Sequence, residues 1–160
     1  MNPTTTELRA LSLTQPWASL VAQGAKRIET RSWATPYRGW IAIHAAKAFP
    51  RECQRLLEVE PFLTALNCPP DELRRGAILA VVRLRGCFQC GKDQGGHGVP
   101  GLVLPPVAPE LSFGDYSPGR YAWVFDDLRP LGRPIPCKGA LGGWRLPAEV
   151  ETEIKKRVFA

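Results

Sequence analysis

The hydrophobic positions of this chain fall in short, separated groups whose spacing changes from one group to the next. Leu8 to Leu13 alternates, with Leu11 and Leu13 on one face and Ser12 on the other, which predicts a strand. A helix start follows, with Thr14 as N-cap, Pro16 in the first turn, apolar Trp17, Leu20 and Val21, and Gly24 as the stop. Lys26 to Trp33 and Gly39 to Ala45 read as two further strands around a turn at Pro36. Pro50 to Leu66 carries a helical stripe of Leu56, Leu57, Phe62, Leu63 and Leu66, which Pro61 should kink or split.

Cys68 to Gly76 reads as a loop, and the apolar run Ala77 to Leu84 as a strand buried on both faces. From Gln89 to Gly119 the chain is rich in Gly and Pro. This predicts a long excursion with little regular structure, functional or mobile in character. Arg120 to Phe125 is expected to be a strand and Gly139 to Leu146 a last extended segment. Pro147 then opens a C-terminal helix over 147–159, with acids early and bases late to suit the helix dipole. With no repeat and no internal linker, the pattern describes a single α+β domain over 1–160, its core at about 8–146, around a curved sheet.

Composition narrows the class. At 160 residues and 44% apolar content, the chain has material for one core, and 31 Gly and Pro residues favour many turns over a helical bundle. No apolar stretch is long enough to span a bilayer, and Met1 to Glu7 lacks a signal-peptide layout. Five cysteines without an export signal read as reduced thiols, so a cytoplasmic location is expected. The net charge is +6, and +5 of it arises between Gly24 and Arg55, from Lys26, Arg27, Arg31, Arg38, Lys47, Arg51 and Arg55 against Glu29 and Glu52. Clustered cations suit a phosphate backbone, although a solvated basic face without a partner explains the charge equally well.

Two strings along the chain go further. The first runs Leu11-Ser12-Leu13-Thr14-Gln15-Pro16-Trp17, then Gly24-Ala25-Lys26-Arg27-Ile28-Glu29-Thr30-Arg31-Ser32-Trp33 and Tyr37-Arg38-Gly39. The second runs Gly119-Arg120-Tyr121-Ala122-Trp123-Val124-Phe125, then Pro134-Ile135-Pro136, Lys138-Gly139 and Gly143-Trp144-Arg145-Leu146. Together, in this order, they resemble the ASCH family (activating signal cointegrator homology) of the PUA-like superfamily. The resemblance implies a small PUA-like β-barrel of about five to six strands flanked by helices, with a cleft beside the first helix. It also implies nucleic-acid binding, RNA ahead of DNA. A hydrolase acting on RNA or on a modified nucleoside such as acetylcytidine is the alternative, and a regulatory protein-interaction module a further one, since fold alone does not decide function.

The candidate nucleic-acid-binding residues are Gln15, Trp17, Lys26, Glu29, Arg31, Arg38, His44, Lys47, Arg120 and Lys138. Trp17 would stack on a base or simply begin the core of the first helix. The helix start at Gln15 to Trp17 would present free backbone N–H groups, and Gln15 is assigned to the cleft. Lys26 and Glu29 are the acid–base pair of the hydrolase alternative. Lys26 would bind phosphate or polarise a carbonyl, and Glu29 would take a proton or accept from a base edge such as cytosine N4. The two meet only if Lys26 belongs to the turn after Gly24. An ion pair of Glu29 with Arg31 or Arg38 is the structural counter-reading.

The resemblance departs from its amidohydrolase branch at Glu29, where that branch has a threonine; Thr30 is one place off. His44 and Lys47 would line the same cleft, with a structural histidine the plainer reading of His44. Tyr121 and Trp123 are expected in the core, with Arg120 and Lys138 reaching for phosphate. Cys87 and Cys90, with His97 and Cys68 or Cys137, offer only one close ligand pair, so no metal or other cofactor is assigned. Gly91 to Gly98 lacks the spacing of a phosphate loop and reads as a flexible turn. Pro100 to Pro109 is the candidate docking segment for a protein partner.

Overall fold

The structure is a computed structural model that describes residues 7–92 and 102–159. Six strands among them form one sheet in the order β2-β5-β4-β3-β1-β6, curled into a half-barrel and accompanied by four α-helices. The strands are β1 (Leu8–Leu13), β2 (Ile28–Arg31), β3 (Gly39–Ala45), β4 (Ala77–Gln89), β5 (Tyr121–Pro136) and β6 (Gly143–Arg145). The helices are α1 (Trp17–Ala22), α2 (Arg51–Arg55), α3 (Phe62–Leu66) and α4 (Ala148–Val158). β1 runs parallel to β3, with Leu8 opposite Trp40 and Leu13 opposite Ala45, while the other pairings are antiparallel.

Alternation along the strands sorts side chains onto two faces. Leu11, Leu13, Ile41, Ile43, Val82, Leu84, Trp123 and Phe125 pack inside the curl against Ala18 and Val21 of α1. Leu8, Ala10, Ala42, Ile78 and Val81 face the other way, beneath Ile154 of α4. A third cluster joins Leu20 to Phe62, Leu66 and Phe113, which brings the 110–113 segment over α1.

The elements depart from the pattern in several places; β4, for one, runs on past Leu84 to Gln89. The strand expected at Lys26 to Trp33 is only Ile28–Arg31, because Gly24, at φ +83°, turns the chain and the Lys26 N–H closes that turn on Leu20 O. The helical pattern over Pro50 to Leu66 is split, as Pro61 leads one to expect, into α2, a short 3-10 turn and α3. The Cys68–Gly76 loop holds a 3-10 turn at Pro70–Glu72, and a second lies at Glu110–Phe113 within the expected excursion. β5 continues well past Phe125. β2 covers its outer side only as far as Val124, so Pro130, Pro134 and Pro136 lie where that side has no partner strand and their missing N–H leaves no ladder bond unmade.

Candidate nucleic-acid cleft

β2 is an edge strand, and its outer edge is closed by side chains. The Ile28 N–H donates to Glu110 Oε1 at 3.0 Å, and Ile28 O accepts from Lys26 Nζ at 2.6 Å. The Thr30 N–H donates to Glu29 Oε1 at 3.1 Å, and Thr30 O accepts from Arg120 Nη2 at 3.1 Å. Four charged residues therefore occupy the positions a further strand would take.

This arrangement fixes Lys26. Its Nζ also donates to Phe113 O at 2.9 Å and lies 3.5 Å from Glu29 Oε1, so its three donors have three partners in a site 1% exposed. Burial pulls its pKa down from the ordinary lysine value, opposed chiefly by the neighbouring Glu29 carboxylate. Glu29 is bridged on the other side by Arg31, whose Nη2 is 3.2 Å from Oε2. The counter-reading thus holds for Arg31 and fails for Arg38, whose guanidinium turns to Thr35 O and Tyr37 O.

Arg31 also donates to Ser12 O, at 3.0 Å, across the gap between β2 and the end of β1. Where the half-barrel stays open lies a cavity of 560 Å³. Glu29 and Arg31 line it from β2, Trp17 from α1, Trp33 from the following turn, and the ion-paired Asp115 and Arg120 from beside the outer edge of β2. Thr14, Ser32 and Ser112 add hydroxyls to its walls. Trp33 is 37% exposed and stands edge-on to the buried Trp123, with ring centroids 4.7 Å apart.

Of the sequence candidates, Trp17, Glu29, Arg31 and Arg120 line this cavity, and Lys26 supports it from behind. The others lie elsewhere. Gln15 is wholly buried: its amide donates to Ser19 Oγ and Arg74 O, and its oxygen accepts the Ser19 N–H, which makes it a brace for the α1 turn. With Ser19 N–H so occupied and α1 only six residues long, the free helix start expected there is not formed.

His44 is 2% exposed, held between Ser12 Oγ (2.9 Å) and Cys137 O (2.7 Å). Lys47, Lys138 and Arg38 are exposed away from the cavity. Thr30, though largely buried, also lines the cavity, and its hydroxyl is engaged as acceptor of the Asp115 N–H.

The sequence reading missed Trp33 as a wall and Ser112 to Asp115 as part of the site. A lysine as strongly buried as Lys26 needs carbonyl partners, and Phe113 O supplies one from the Gly- and Pro-rich excursion. Within that excursion Val103 and Val107 are exposed, inside the expected docking segment Pro100 to Pro109, of which 100–101 lie outside the described residues. All five cysteines are free thiols, and no group of three metal-binding side chains occurs among the described residues; His97 and positions 93–98 of the Gly91 to Gly98 turn lie outside them. No described helix is long and apolar enough to cross a membrane.

The ASCH domain model matches residues 11–100, more than half of the chain and all of the first string of motif residues. This chain belongs to the ASCH family. ASCH-domain sequence likeness extends to activating signal cointegrator 1 of Homo sapiens, 31% identical over 151 residues, and to its Mus musculus counterpart, 29% identical over 149. The match takes in 91% of this chain but 23% of either relative, so this chain spans about a quarter of their length. Among solved structures, ASCH from Zymomonas mobilis superposes with a TM-score of 0.52 at 16% identity, over 96% of each chain. A point mutant of that Zymomonas mobilis protein gives the same TM-score over 96% of this chain and 97% of that one. These likenesses establish the PUA-like α+β fold.

Proposed function

We propose that this ASCH domain binds single-stranded nucleic acid, RNA in preference to DNA, by taking one base into the cleft between Trp17 and Trp33. The observation that carries this reading is the Glu29 carboxylate, held in the cleft wall between the Lys26 ammonium and the Arg31 guanidinium. Lys26 and the Thr30 N–H occupy Oε1, and Arg31 takes one side of Oε2. One acceptor direction on Oε2 remains for a ligand. An acceptor-only group in an aromatic cleft suits the exocyclic amino group of a base, as carboxylates suit cytosine N4.

The indoles supply stacking that tolerates different bases, at roughly 1–3 kcal/mol each. Arg120, whose Nη2 and Nε are engaged by Thr30 O and Asp115, lines the cavity and has Nη1 for a phosphate. The hydroxyls of Thr14, Ser32 and Ser112 are suited to a 2′-OH, which favours RNA. Lys26 acts as a positioning residue, since its three donors are already engaged. A cytoplasmic setting, where single-stranded RNA and free thiols coexist, fits this reading.

The test is equilibrium binding of fluorescein-labelled oligoribonucleotides and matching oligodeoxyribonucleotides at low salt. Glu29→Gln should weaken binding about tenfold, and Trp17→Ala by roughly 5- to 150-fold. Undetectable binding to both polymers, or unchanged affinity in Trp17→Ala and Glu29→Gln together, contradicts the proposal. Turnover of RNA or of N4-acetylcytidine that disappears in Glu29→Gln while binding persists would instead establish a hydrolase.

A further inference from the structure

Trp33 is a wall of two cavities. Behind it, away from Glu29, lies a second cavity of 190 Å³, lined by Arg9, Trp33, Thr35, Tyr37, Trp123 and Gly143. It opens beside the N-terminal part of β1, and the Trp33 side chain is the wall it shares with the first cleft. Trp33 and Tyr37 offer ring surface in this small space above the buried Trp123, and cations gather at its rim.

Arg9 and Arg145 are directly opposite each other in the β1–β6 register. Opposed residues on antiparallel strands have Cβ atoms about 5 Å apart, and like charges there repel. Arg145 is exposed and shares its strand face with Gly143, which lines the cavity. Arg38, which does not reach the first cleft, donates to Thr35 O at 2.9 Å and Tyr37 O at 2.7 Å, both on residues of the second cavity's wall. Against these three guanidiniums stands Glu7, paired with Arg9 at 2.8 Å. Three cations and one acid leave a local charge of +2 at the rim of an aromatic pocket, a setting suited to a base joined to a phosphodiester.

We infer that this second cavity is a subsite for the nucleotide next to the one held against Glu29, so that the domain reads two adjacent nucleotides of one strand across Trp33. The inference rests on the cleft assignment above. In it, the second base packs against Trp33 and Tyr37, above Trp123, and the phosphate linking the two nucleotides relieves the repulsion between Arg9 and Arg145. Arg38 contributes a further cation on the Tyr37 side. The subsite has no carboxylate lining it, so it discriminates among bases less than the Glu29 cleft does.

Calorimetric titration of the whole chain with cytidine 5′-monophosphate, with the 5′-phosphorylated dinucleotide pCpC, and with a pCp-abasic analogue separates the two levels. The dinucleotide should bind about tenfold more tightly than the mononucleotide, and loss of the second base should remove most of that gain. Arg145→Glu and, separately, Arg38→Ala should reduce the gain while leaving mononucleotide affinity within about twofold, with thermal melting confirming that each variant is folded. A dinucleotide that binds no better than the mononucleotide, or a gain that survives in both variants, overturns the second subsite and leaves the first cleft standing. If the mononucleotide itself fails to bind, the cleft assignment falls and the subsite with it.

Discussion

Lys26 and His44 both stand out in the sequence as candidates for ligand contact, and both are buried with every polar atom engaged. Residue type and spacing show that they matter, but burial decides in what way. Lys26 is an ammonium whose removal leaves Ile28 O and Phe113 O unpaired and Glu29 with Arg31 as its one charged partner among the described residues. Lys26→Met should therefore lower the unfolding free energy by about 3 kcal/mol, read from urea denaturation, because breaking a buried charge network costs more than the contact itself.

His44 permits a pH argument. Cys137 O can only accept, so Nε2 carries the proton and Nδ1 accepts from the Ser12 hydroxyl. Burial lowers the His44 pKa below its ordinary value of 6.5, against a smaller opposing effect of the Cys137 hydrogen bond. As pH falls through 6.5, the unfolded chain takes up this proton before the folded one does, so stability declines until the lowered folded value is passed. Melting temperature measured between about pH 7.5 and 5 should fall with this component, and His44→Gln should flatten that part of the curve. A curve of unchanged slope in the variant would assign the pH dependence to other groups. Gln15 shows the same limit of the sequence: nothing in the letters distinguishes an amide turned into a cleft from one bracing a turn against Arg74 O.

The element that organises the site is the outer edge of β2. Exposed edges invite pairing with another chain, and short length and charged side chains are common protections. Here the protection and the cleft share residues, since Lys26, Glu29 and Arg120 cap the edge while Glu29 and Arg120 also line the cavity. The carboxylate of Glu110 completes the set, accepting the N–H groups of both Arg27 and Ile28. Glu110→Ala should speed amide exchange at Arg27 and Ile28 by tenfold or more, about 1.4 kcal/mol of local protection, with little change in the centre of the sheet. Uniform protection across the variant would remove Glu110 from this role.

At the same scale, Gly139 sits so close to His44 that an added Cβ would be 2.5 Å from the ring Cε1. Gly139→Ala should destabilise by about 1–3 kcal/mol. Alternation and turn residues make β1, β3, the split at Pro61 and α4 readable in advance. The length of β5 is not, because its prolines look like a strand's end unless one knows that β2 stops short of them.

Across the whole molecule, charge is less local than the sequence implies. Of the seven cations between Gly24 and Arg55, Arg31 alone lines the cleft among the described residues; Arg120 joins it from far along the chain. Arg51 and Arg55 lie on α2 instead, and Lys26 in the interior. The family motifs are a better guide than the charge total, since they carry Trp17, Glu29, Arg31, Trp33 and Arg120 together. A steep salt dependence, expected from seven clustered cations, should give way to a shallow one for a single-stranded oligonucleotide. With two guanidiniums in the cleft and about 0.7 per neutralised phosphate on a single strand, the slope of log K against log salt should be no steeper than about −1.4. Further phosphates reaching Arg9 and Arg145 should steepen it.

The central claim, that the cavity bounded by Trp17, Glu29, Arg31 and Trp33 receives a base, is tested most directly by titrating the ¹⁵N-labelled domain with cytidine 5′-monophosphate. The account requires saturable shifts of the Trp17 and Trp33 indole N–H signals and of the Glu29 to Arg31 and Ser112 to Asp115 amides, all following one binding curve. Saturable shifts confined to another face, or none at these positions up to millimolar ligand, would contradict it.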